Sequence, residues 1–136
     1  MIATIAVLAE RAQVRTDGKL DVVGVYNCRY AAELPAKLDV TLALRFDIEP
    51  LDYGVHQHIV VHIMDEDGGE LVNLRASPIA FESPHAPGLP VAYDLVIPLS
   101  IGFPDNGTWT FDVRVNERSV ARVPLRVERS GASAVT

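Results

Sequence analysis

Three histidines, His56, His58 and His62, are the best-placed donors for chemistry in this 136-residue chain. All are even-numbered in a run, 55–64, whose odd positions Val55, Ile59, Val61 and Ile63 are apolar. Side chains alternate on an extended chain, so the three imidazoles project from one polar face. His56 and His58 would stand roughly 6–7 Å apart, close enough to chelate a transition metal. His62 would lie about 13–14 Å beyond His58, too far to reach the same ion. A third ligand must come from another strand, and Asp47, Glu49 and His85 are candidates. The competing reading is a polar outer face that happens to use histidine.

Other constellations point away from catalysis. Asp65-Glu66-Asp67-Gly68-Gly69-Glu70 clusters carboxylates around a glycine turn, but lacks the ligand spacing and flanking helices of an EF-hand. It reads as an acidic hairpin tip. Cys28, the single cysteine, excludes an intrachain disulfide and a multi-cysteine zinc site, and lies in a strand-like run where thiols are inert. No G-x-S-x-G elbow and no glycine-rich phosphate loop occurs. The expectation is a protein that is not an enzyme and needs no cofactor.

Charge supplies a second candidate. The net charge of −6 argues against nucleic acid, since phosphate neutralisation needs a basic field. From Trp109 onward, however, five arginines face three acidic residues, while the remainder holds 15 acidic and 7 basic residues. Arg114, Arg122 and Arg126 fall on the polar parity of the closing segment TWTFDVRVNERSVARVPLRV. They are a candidate docking surface for an acidic partner, another protein or a second copy. The alternative is neutralisation within the fold, with the acidic face of 38–49 as the counter-surface.

Elements that hold these residues are strands. In 108–127, Trp109, Phe111, Val113 and Val115 alternate with polar residues, then Ala121, Val123, Leu125 and Val127 do the same. That is a hairpin with one buried side, so Trp109 and Phe111 are core and not a stacking platform. Pairing Val113 with Val123 and Phe111 with Leu125 implies a loop at 117–119, and sets Arg114 opposite Arg122. Further strands are expected at 2–9, 20–30, 38–49, 55–64, 70–76, 79–81 and 91–101, with a helical turn conceivable at 10–13. Parity shifts at Ser77-Pro78, which suggests a bulge or a change of sheet. Pro98 and Pro124 should mark edges or bulges, and Gly24 a bulge or close approach. Strand-like runs punctuated by turns, without an amphipathic helix, predict an all-β, antiparallel two-sheet sandwich of about seven to nine strands. One domain is expected over 1–129, with 130–136 a disordered tail.

The segments IAVLAERAQVRTDGKLDVVGVY, LDVTLALRFDIE, HIVVHIMDEDGGELV and GTWTFDVRVNERSVARVPLRV together resemble an uncharacterised family of small bacterial proteins, a domain of unknown function. The resemblance implies an immunoglobulin-like β-sandwich and assigns no catalytic residue. The paired cysteines of antibody domains are absent.

The leading expectation is a non-catalytic protein-interaction or assembly module that recognises another protein or itself through a sheet face or edge. One alternative is a metal-binding protein or metal-dependent enzyme using His56 and His58. Another is a small-ligand or carbohydrate binder using the loops 83–90 and 102–107. No apolar run approaches the roughly 20 residues that span a bilayer, and no basic leader precedes the apolar start. A cytoplasmic protein without a membrane partner is expected.

Overall fold

Alternation of apolar and polar residues is realised as strands almost throughout. The computed structural model describes residues 1–82 and 91–130. Among these, eleven strands form: β1 (Ile2–Val14), β2 (Leu20–Tyr26), β3 (Cys28–Ala31), β4 (Ala36–Ile48), β5 (His56–Gln57), β6 (Ile59–Met64), β7 (Glu70–Arg75), β8 (Ile79–Ala80), β9 (Val91–Phe103), β10 (Gly107–Val115) and β11 (Arg118–Arg129). They build a four-stranded sheet, β2-β1-β4-β9, a five-stranded sheet, β3-β11-β10-β6-β7, and a two-stranded one, β5-β8. The strand number exceeds the seven to nine expected. A third sheet is added to the expected two, and β3 runs parallel to β11, so the arrangement is not wholly antiparallel.

The core lies between the inner faces of the two large sheets. Val40, Leu42, Leu44 and Phe46 of β4 meet Ile59, Val61 and Ile63 of β6 and Phe111, Val113, Leu125 and Val127 of the closing hairpin. Phe46, Phe103 and Phe111 are fully buried, each contributing about 2–3 kcal/mol by removal from water. Trp109 joins them against Phe103, ring centroids 5.6 Å apart. No described helix is long and apolar enough to cross a membrane.

Two expected strands are divided, and one expected turn is absorbed into a strand. The run 20–30 changes sheet at Asn27, so that β2 pairs with β1 while β3 joins β11. The run 55–64 is split at His58: Val55 is exposed, and β5 pairs with β8, away from β6. Residues 10–13 continue β1, because the partner strand β2 holds them extended, and form no helical turn. The parity shift at Ser77-Pro78 is the change of sheet between β7 and β8. Gly24 has φ +72°, a conformation that calls for glycine, and a Cβ there would stand 2.7 Å from the Cδ of Glu10, whose side chain would have to move aside.

Pro98 lies on the edge strand β9. Pro124 lies in β11 two residues before Arg126, whose N–H donates to the Asn27 carbonyl at 2.8 Å. Its missing N–H would face the same side, ahead of the point where β3 begins to pair, so no ladder bond is lost.

The closing hairpin keeps its predicted inner face but not its predicted register. Phe111 pairs with Val123 and Trp109 with Leu125, while Arg114 faces Ser119 and Arg122 faces Asp112. The loop is the two-residue turn Asn116-Glu117, with φ of 50° and 68°, as a type I′ turn requires. A bulge at Val120 restores the parity. The like-charge opposition of Arg114 and Arg122 is thereby replaced by the opposite-charge pairing of Arg122 with Asp112.

Candidate functional site

On the outer face of the five-stranded sheet, the register brings Arg122 of β11, Asp112 of β10, His62 of β6 and Asn73 of β7 into one cross-strand row. Asp112 is its centre and is fully buried, at 0% exposure. Its Oδ1 accepts from the Ser119 hydroxyl at 2.5 Å and its Oδ2 from Arg114 Nε at 2.8 Å. Arg122 Nε stands 3.8 Å away. Burial alone would raise the Asp112 pKa, but the Ser119 and Arg114 hydrogen bonds and the two guanidinium charges outweigh it and hold it below the ordinary carboxylate value.

The three arginines of the predicted partner surface are therefore engaged to different degrees. Arg114 is tied to Asp112. Arg126 donates to Glu128 at 3.0 Å and lies 3.6 Å from Glu66. Arg122 is 69% exposed in its side chain and only loosely attached. Their counter-charges come from Asp112, Glu128 and Glu66. Asp39 and Asp47 cannot serve as the expected counter-surface, because β4 belongs to the other sheet, and Glu49 lies in the turn that follows β4.

The histidines do not share one strand face. His56 is exposed on β5 opposite Ala80. His58 sits between β5 and β6, where its N–H donates to Asn116 Oδ1 and its carbonyl accepts from the Asn116 N–H, both at 2.9 Å. Gln57 between them is buried and receives the Asn116 side-chain amide at 2.9 Å, which pins the hairpin turn to this segment. His62 lies in the outer face of the large sheet with Nδ1 at 2.5 Å from Glu70 Oε1. Glu49 belongs to the turn at Pro50–Asp52, and Asp47 pairs with Ala92. Among the described residues no three histidine, cysteine, aspartate or glutamate side chains converge as a metal site. His85 lies outside the described residues.

Of the two loops proposed for ligand binding, residues 83–90 lie outside the described residues. Residues 102–107 join the end of β9 to the start of β10, where the acidic hairpin tip is tied down by the Thr108 N–H donating to Glu66 Oε1 at 2.8 Å.

One polar assembly escaped the sequence reading. Where β1 and β4 separate, a cavity of about 460 Å³ is lined by Glu10, Tyr26, Cys28, Arg29 and Asp39. Arg29 lies over the Tyr26 ring, 5.2 Å from its centroid, and donates to the Asp39 carbonyl at 2.9 Å. These residues come from four strands with no shared motif, so nothing in their spacing announced the cluster.

Over residues 4–128 the sequence matches a family of unknown function (DUF6941), and the chain belongs to that family. No curated protein matches it.

Proposed function

We propose that this member of a family of unknown function is a non-catalytic protein-interaction module, and that the free edge of β2 is the surface through which it pairs. A difference among the four edges of the two large sheets carries the reading. β9 has Pro98, β7 displays Glu70 and Arg75, and β3 is four residues long and carries Arg29. Each of these features blunts strand addition. β2 has one charge, Asp21, and no proline, and its Val23 and Val25 are 47% and 61% exposed. A largely apolar edge with a single charge is a template for a strand from another chain.

The use made of the polar groups supports binding over catalysis. Asp112, Gln57, Asn116 and the His58 backbone all bond to one another's elements and hold the hairpin in place. An immunoglobulin-like relationship fits the two large sheets over one core, and a cytoplasmic setting fits the single free cysteine. A second copy of the chain belongs to the same class of partner.

The test compares wild type with Val25→Lys, a change at an exposed site that leaves the core untouched. Affinity purification from the native host and light scattering of the pure protein are run on both. A stoichiometric partner, or a self-associated mass, present for wild type and lost with the lysine supports the reading. The same partners and mass for both proteins overturn it.

A further inference from the structure

The register of β1 with β4 runs from Ile2 opposite Asp47 to Ala9 opposite Thr41 and stops there, although β1 continues to Val14 and β4 begins at Ala36. Continued, it would set 10–14 against 36–40. Instead β1 is paired in that stretch with β2 alone, and β4 with β9 alone. Two inner strand edges thus border an opening, each directing the N–H and C=O of every second residue into it. The cavity of about 460 Å³ lies here, and a second of about 610 Å³ adjoins it, with Glu10 lining both. One acceptor already has a substitute partner: Arg29 Nη1 donates to the Asp39 carbonyl, where the N–H of a neighbouring strand would otherwise stand. Lys37, two residues before Asp39, directs its backbone groups the same way.

We propose that this opening receives an extended segment of a partner protein, hydrogen-bonded to β4 at Lys37 and Asp39 and carrying a basic side chain toward Glu10 and Asp39. The extended form follows from the two-residue repeat of the backbone groups, which a helix cannot match. The basic character follows from charge. Neither Glu10 nor Asp39 has a cationic side-chain partner among the described residues. Arg29, the cation in the same cavity, is held by the Tyr26 ring and the Asp39 carbonyl. Val23, Val96 and Pro98 line the adjoining cavity and suit alternate apolar residues of such a strand. This site is separate from the outer edge of β2.

Amide hydrogen exchange of the free protein tests the open edge. Lys37 and Asp39 should exchange about 100-fold faster than Ala43 and Arg45, which face β1 in register. Equal protection would overturn the proposal. Titration with a blocked heptapeptide alternating valine and lysine, followed by NMR, tests the occupant. Saturable shifts are expected at 10–14 and 36–41, weakened about tenfold by the Glu10→Gln, Asp39→Asn double variant. Arg29→Ala should strengthen binding by freeing the Asp39 carbonyl, which a purely structural arginine would not do. Absence of saturable shifts, or equal binding of a valine–glutamate peptide, refutes the site. Shifts confined to 20–26 refute it too, while leaving the β2 edge reading intact.

Discussion

Replacing Asp112 with asparagine removes the charge from the one fully buried carboxylate among the described residues and leaves its volume almost unchanged. Wild-type Asp112 accepts the Ser119 hydroxyl and Arg114 Nε and lies near Arg122. Hydrogen bonds to a charged group contribute about 1.5–3 kcal/mol each, and removing one partner of a buried pair costs about 3–5 kcal/mol. The asparagine retains one acceptor. Both guanidiniums are partly exposed and recover some hydration, which brings the expected loss down to about 2–3 kcal/mol. For a domain of this size that is a fall in Tm of about 8–10 °C. Acid adds a second, sharper signature. The Asp112 pKa is depressed in the fold, against the upward pull of burial, by Ser119, Arg114 and the arginine charges. Its contribution is therefore complete above the unfolded carboxylate value of about 4 and is lost as pH falls through the folded value. Urea unfolding of wild type and variant at pH 7 should show the full gap, and a series descending below pH 4 should show it closing. A double-mutant cycle with Ser119→Ala should give a coupling of at least about 0.5 kcal/mol. A cost under about 0.5 kcal/mol at pH 7, or a gap that stays constant into acid, would refute the assignment of Asp112 as an ionised anchor of the hairpin.

Glu117 adopts φ 68° in the type I′ turn, so Glu117→Gly should stabilise by about 0.5–1 kcal/mol in urea unfolding; destabilisation would contradict the turn assignment. Gly24→Ala meets both positive φ and the Glu10 side chain and should cost about 1–2 kcal/mol. Adding Glu10→Ala should recover only the steric part of that loss, and full recovery would show that φ strain is absent. His58 joins the fold through its backbone, so His58→Ala should shift Tm by less than about 2 °C. Metal analysis with and without chelator should give no stoichiometric metal, and one equivalent lost on mutation would restore the His56/His58 site.

Period-two alternation was enough to identify the inner-face residues: Val40, Leu42, Leu44 and Phe46, and Trp109, Phe111, Leu125 and Val127, are core in the fold as in the pattern. Alternation reports which way a side chain points and is silent about which strand lies alongside. The division of 20–30 at Asn27 and of 55–64 at His58 could not be read for that reason, since both halves of each run carry the same kind of pattern. The separation of β1 from β4 is of the same kind, since neither edge has a residue signature.

The candidate site divides along the same line. Arg114, Arg122 and Arg126 were legible as an outward-facing set because parity alone determines their face. Whether they are free or neutralised depended on the register. A shift of two residues from the simplest pairing moves Asp112 from a diagonal neighbour of Arg122 to its direct partner, and the Val120 bulge puts Ser119 beside Arg114. The residue types of a closing hairpin with an arginine-bearing face were written in the chain. The buried carboxylate that binds those arginines was made by tertiary structure, because only the pairing of β10 with β11 on one side and β6 on the other surrounds Asp112 and removes it from water.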